Sequence, residues 1–155
     1  MVAASARAGR DDHAWVTELL GRPPNGEYEI VVRGADETPV VIRNAPFLAD
    51  GRPMPTRYWL CGPYLRMLIG RLESAGGVRR AEHDVPMADI MAAHARYAAE
   101  RDAAIPADHE GPRPSGGVGG TRRGVKCLHA HYAWYLAGGD DPVGQWVHDH
   151  LEEVR

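Results

Sequence analysis

The chain has 155 residues, 44% of them hydrophobic, enough for one domain with a real core and too few to argue for two. A formal charge of −3 and a pI near 6.2 give no bulk attraction to nucleic acid or anionic lipid, so no strong nucleic-acid signal is present. No run approaches the ~18 apolar residues of a membrane span, the N-terminus lacks the apolar segment of a secretory signal, and two cysteines make no disulfide framework. A cytoplasmic protein with reduced thiols and no membrane partner is expected.

In chain order, residues 1–10 are small and polar and read as a flexible N-terminus. Asp11 or Asp12 caps a first helix in which Trp15, Val16, Leu19 and Leu20 share a face, with Gly21 placed to end it. After the breaker Arg22-Pro23-Pro24-Asn25-Gly26, Tyr28 to Arg33 and Val40 to Ile42 read as two antiparallel strands joined across a polar turn. Residues 44–57 hold three prolines and form a loop, and Tyr58 to Cys61 reads as a third, buried strand. Gly62-Pro63 starts a helix with Leu65, Leu68, Ile69 and Leu72 inward and Arg66, Arg71 and Glu73 outward, stopped by Gly76-Gly77. A further helix runs from near Asp84 and Pro86 to about Ala104, and its His94 reads as a hydrogen-bonded core or boundary histidine.

Residues 105–120 are rich in glycine and proline and read as a mobile loop. Helical periodicity from about residue 122 to 137 sets Val125, Leu128, His129, Tyr132 and Leu136 on one face and Cys127, His131 and Trp134 on the other. Such a helix belongs between the sheet and the other helices. Asp141 and Pro142 then open a last helix carrying Val143, Trp146, Val147 and Leu151. The expected fold is α+β, a small antiparallel sheet of about three strands in the N-terminal half packed on four to five helices.

Chemistry concentrates between Gly116 and Gly139. Gly119, Gly120, Thr121, Arg122, Arg123 and Lys126 place glycines and cations at an expected helix start, where backbone N–H groups and the helix dipole favour an anion. Arg57 or Arg113 can add to that set. The GxxxxGK[ST] spacing is absent, which excludes a P-loop, and the competing reading is a solvated surface loop. The leading expectation is a binding or regulatory protein for a phosphate-containing small molecule or polyphosphate at residues 116–126, with no cofactor. The alternative is an enzyme or metal protein centred on Cys127 with His129 or His131. Cations and a helix start favour a thiolate there, and zinc is the natural metal, with Cys61, Cys127, His129 and His131 as the candidate ligands. At helical spacing His131 is the better placed partner for Cys127. A protein-interaction scaffold is the third possibility.

PMPTRYWLCGPYLRMLIGRLESAGGV, the later GGVGGTRRGVKCLH and the GDDPVG that follows resemble three hallmark segments of an actinobacterial family, domain of unknown function 501. The likeness spans about residues 19–147 and is most specific at Val125 to His129. It implies a small bacterial cytosolic protein, with genes for an exopolyphosphatase and a septum-formation protein often nearby, and leaves the reaction open. It also implies that many members hold a four-ligand set: a cysteine in the first hairpin, a cysteine or histidine before the proline matching Pro63, and the Cys and His of the Lys-Cys-Leu-His segment. This chain has Gly34 and Gly62 near the first two places and Cys61 one residue displaced, so such a site is incomplete here or rebuilt with Cys61 and His131.

Overall fold

Three segments rich in β-branched and aromatic residues, β1 (Tyr28–Arg33), β2 (Pro39–Asn44) and β3 (Tyr58–Leu60), pair as an antiparallel sheet in sequence order. The computed structural model describes residues 11–155, and the expected flexible stretch 1–10 lies outside them. Successive strand residues point to opposite faces, so Val41, Tyr58 and Leu60 enter the main core while Ile42 and Trp59 face a second, smaller one. The register Val41 opposite Leu60 and Ile42 opposite Trp59 keeps like with like across the pair.

Helix α1 (Asp12–Leu20) covers the smaller face, with Val16, Leu19 and Leu20 against Tyr28, Ile30 and Ile42. Asp11 caps it through Ala14 N at 3.2 Å, and Gly21 ends it at φ 79°. Five helices build the other layer: α2 (Pro63–Ser74), α3 (Gly77–Asp84), α4 (Met87–Ala103), α5 (Leu128–Leu136) and α6 (Pro142–His150). The architecture is the α+β arrangement expected. Helix α5 is its centre: it packs on β3, α2 and α6 and buries Leu128, His131, Tyr132, Ala133 and Trp134. Asp141 caps α6 by accepting Val143 N–H at 3.0 Å, with Pro142 at the first position.

Helix α3 is not expected from the sequence, because Gly76-Gly77 marks a stop and the segment offers only Val78 and Ala81 as apolar anchors. Gly76, at φ 82°, reverses the chain and the new helix begins at once. Gly77 is required by close packing: a Cβ there would lie 2.6 Å from the Leu72 carbonyl oxygen and 2.9 Å from Leu128 Cδ1. A second difference bears on the site. Helix α5 starts at Leu128, not near 122, since Gly124 turns left-handed at φ 69° and Cys127 is extended at φ −152°. Helical spacing therefore does not relate Cys127 to His131.

Candidate functional site

Within 105–120, Val118–Gly120 forms a 3₁₀ turn, and the run from Gly116 to the start of α5 is tied down by three helices. From α4, the buried Arg101 donates through Nη1 to the carbonyls of Pro55 at 3.1 Å and Gly116 at 2.9 Å. One α4 turn-pair earlier, His94 accepts Val118 N–H on Nδ1 at 3.0 Å and donates from Nε2 to the Gly124 carbonyl at 2.7 Å. Two opposed demands fix its tautomer: a carbonyl only accepts and an amide only donates. Burial holds this imidazole below the ordinary histidine range, and the neighbouring His131 acts in the same direction.

Two carboxylates complete the hold. Glu82 of α3 accepts Val125 N–H at 2.7 Å, and Glu73 of α2 accepts Leu128 N–H at 2.8 Å. The Val118, Val125 and Leu128 N–H groups, in and beside the expected anion site, are thus engaged by the protein's own side chains. Both glutamates stand in the last turn of their helices, where a negative charge opposes the dipole, and each is compensated by the loop and the positive start of α5.

Glu73 has a second role. Its Oε1 lies 3.1 Å from His129 Nδ1, and Cys127 Sγ lies 3.6 Å from the same nitrogen. His129 Nε2 meets the Arg66 carbonyl at 3.2 Å, so Nε2 carries a proton and Nδ1 is the atom left for chemistry. The Cys127 contact, aided by Glu73 and the Arg66 carbonyl, raises the His129 pKa above its ordinary value against the opposing effect of burial. All three side chains are partly accessible, Glu73 at 27% and His129 at 30%. Among the described residues Glu73, Cys127 and His129 are the one group of such side chains whose ligand atoms all lie within 4.8 Å of one another.

The remaining sequence candidates lie elsewhere. His131 is buried, gives Nδ1–H to Asp141 at 2.7 Å, and stands beside His94 with ring centroids 5.8 Å apart. Cys61 sits in the smaller core with Val16 and Ile42, its thiol pushed up to about 11 by burial. Of the two histidines named with Cys127, His129 meets it, joined by Glu73, while His131 and Cys61 lie apart from it. Gly34 and Gly62 both abut Val40 and line one apolar pocket of about 310 Å³, which includes none of the three. Arg57 gives Nη1–H to Asn44 O at 2.7 Å and borders a groove of about 730 Å³ with His13, Glu29 and Arg43, separate from Arg122, Arg123 and Lys126. Those three cations and Arg113 are exposed; Gly119 and Gly120 take φ 67° and 77°, and Thr121 Oγ1 donates to the Arg123 carbonyl at 3.0 Å. Glu73 is not expected in the site, since helical periodicity places it outward on α2. Its one signal was an acid in a helix's last turn, which calls for a local positive partner.

Fold and site together define a small α+β protein in which a thiol, an imidazole and a carboxylate meet where a glycine-rich loop enters a buried helix. The chain belongs to the DUF501 family, described as a protein of unknown function, whose model matches residues 30–149. The match holds the sheet except the first two residues of β1, all of the trio and nearly all of α6. No curated protein and no solved structure matches the chain. No helix among the described residues is long and apolar enough to cross a membrane.

Proposed function

We propose that the protein is an enzyme with Cys127 as nucleophile and His129 as its base. The observation that carries this reading is the placement of His129 Nδ1 between Cys127 Sγ and Glu73 Oε1, with Nε2–H committed to the Arg66 carbonyl. In the neutral ring the Nδ1 lone pair faces a carboxylate, which is repulsive; a proton on Nδ1 turns that contact into an ion pair. Transfer of the Cys127 S–H proton to Nδ1 yields thiolate and imidazolium, with Glu73 stabilising the imidazolium and the start of α5 beside the sulfur charge. The thiolate then attacks an electrophilic centre, the bond to its leaving group breaks, and the imidazolium gives its proton to that departing group.

Alkylation by iodoacetamide, followed by mass spectrometry, tests this. In the native, metal-free protein near neutral pH, Cys127 should react at least about tenfold faster than free cysteine, and His129→Gln should remove that advantage. Cys61 should stay unmodified until the chain unfolds. Equal rates in the parent and His129→Gln, or preferential labelling of Cys61, would refute the reading.

The exposure of Arg122, Arg123 and Lys126, within five residues before Cys127, favours an anionic, phosphate-containing substrate or ligand. Replacing all three by alanine should weaken binding of inorganic polyphosphate at low salt; unchanged affinity would remove this substrate class.

A further inference from the structure

The nucleophile reading uses Glu73 only as a counter-charge, yet the three side chains offer one sulfur, one nitrogen and one oxygen converging on a common point. We infer that Glu73, Cys127 and His129 form a mononuclear site for a borderline divalent metal of the zinc class, with its fourth position open. This goes beyond the nucleophile reading and shares with it the placement of His129 beside Cys127 and Glu73.

Geometry carries the inference first. A tetrahedral ion with Zn–S near 2.3 Å and Zn–N near 2.0–2.1 Å sets its sulfur and nitrogen ligands about 3.5–3.6 Å apart. Cys127 Sγ and His129 Nδ1 are separated by 3.6 Å. Nitrogen and oxygen ligands of the same ion stand about 3.3 Å apart, and His129 Nδ1 lies 3.1 Å from Glu73 Oε1. These two pairs thus stand within a few tenths of an ångström of coordinating separations, and the sulfur and the carboxylate lie within 4.8 Å of each other.

The outer partners are an independent observation. A metal-binding histidine characteristically gives its other ring N–H to a carbonyl or carboxylate, which fixes tautomer and orientation, and a ligating carboxylate is itself hydrogen-bonded. His129 Nε2 is already on the Arg66 carbonyl at 3.2 Å, and the second Glu73 oxygen, Oε2, is held by Leu128 N–H at 2.8 Å. Each of these two side chains thus has one atom anchored by backbone, while His129 Nδ1 is left to Cys127 Sγ and to the other oxygen of Glu73. An ordinary surface ion pair supplies no such second set of contacts.

The ligand count gives the kind of site. Three protein ligands at partly exposed positions leave one tetrahedral place to water or substrate, whereas structural zinc sites close all four with protein atoms. The mixed S, N and O set selects zinc-like ions over magnesium or calcium, which require oxygen alone. Cys61 and His131 are engaged elsewhere and do not close the shell.

Cobalt(II) titration of the full-length, chelator-treated protein tests the site by absorption, independently of any activity. One equivalent should bind, producing a thiolate-to-cobalt charge-transfer band and the intense visible bands of tetrahedral cobalt, and zinc should displace it. Cys127→Ser should abolish the charge-transfer band and Cys61→Ser should leave it intact. Glu73→Gln, which keeps an acceptor for Leu128 N–H and so preserves the start of α5, should weaken cobalt binding at least about tenfold. Absence of the band at millimolar cobalt, its loss in Cys61→Ser, or full retention in Glu73→Gln overturns the inference. Selective alkylation of Cys127 without any cobalt band leaves the nucleophile reading standing alone; a cobalt band without selective alkylation leaves the metal site standing alone.

Discussion

Replacing His94 by leucine isolates the latch beneath the loop. His94 is 4% exposed and its two ring nitrogens satisfy groups six residues apart, the Val118 N–H and the Gly124 carbonyl. Leucine fills a similar volume, so the packing loss is small, but both backbone groups are left buried without a partner. Each stranded group costs about 1–3 kcal/mol, which gives about 2–6 kcal/mol in all, a large part of the ~5–15 kcal/mol typical of a domain. Urea unfolding followed by tryptophan fluorescence measures it. The pH dependence supplies a second check with a definite sign. Because the native His94 pKa lies below its ordinary value of ~6.5, the unfolded chain takes up the proton first as pH falls. Stability contributed by this group is therefore full above that value and declines below it, by at most about 1.4 kcal/mol per pH unit for one proton. The facing groups are His131, which adds to the lowering, and Asp141, which opposes it. The parent protein should lose stability between pH 7 and 5 more steeply than His94→Leu. A leucine variant within about 1 kcal/mol of the parent, or two parallel pH curves, would refute the latch.

Asp141→Ala removes both the α6 cap on Val143 N–H and the partner of His131 Nδ1–H, so thermal denaturation should show a loss of about 2–5 kcal/mol, while Asp141→Asn, whose single oxygen keeps the cap on Val143 N–H and gives up only the acceptor for His131, should lose less. Gly139→Ala places a methyl 2.4 Å from the Trp134 ring and should cost about 1–3 kcal/mol, with a changed near-ultraviolet circular dichroism from that tryptophan; an unaltered spectrum would show that the ring has room.

Local signals marked most of the fold. Alternating and β-branched runs set the three strands, and Asp11, Pro63 and Asp141 placed three helix starts because a cap acts through bonds to its own neighbours. Helix α3 was not legible: Gly76-Gly77 is a stop in any sequence, and what restarts the chain there is the fit of Gly77 against Leu72 and Leu128, one of them far along the chain. Cys127 and His129 were legible as residue types, but their relation was not. Periodicity assigned them to different faces of a helix, whereas Cys127 lies just before the first helical residue, in extended backbone, where its side chain comes back to His129. Glu73 was least visible, since its partners, Leu128 and His129, stand more than fifty residues away.

The same distances explain why the loop can be rich in glycine and still present a defined site. Its left-handed glycines, at 116, 119, 120 and 124, permit close turns but hold nothing by themselves. Position comes from outside: Arg101 and His94 grip it from α4, Glu82 from α3 and Glu73 from α2, each with a charged or polar side chain on backbone groups. Glu82 and Glu73 oppose the dipoles of their own helices, an unfavourable arrangement of a few tenths to about 1 kcal/mol each, offset by charge-assisted bonds to Val125 and Leu128. Only Glu73 is also turned toward a histidine and a cysteine. Glu82 shows what holding the loop alone requires, one oxygen on one N–H; the second oxygen of Glu73, set 3.1 Å from His129 Nδ1, is the part that holding the loop does not explain.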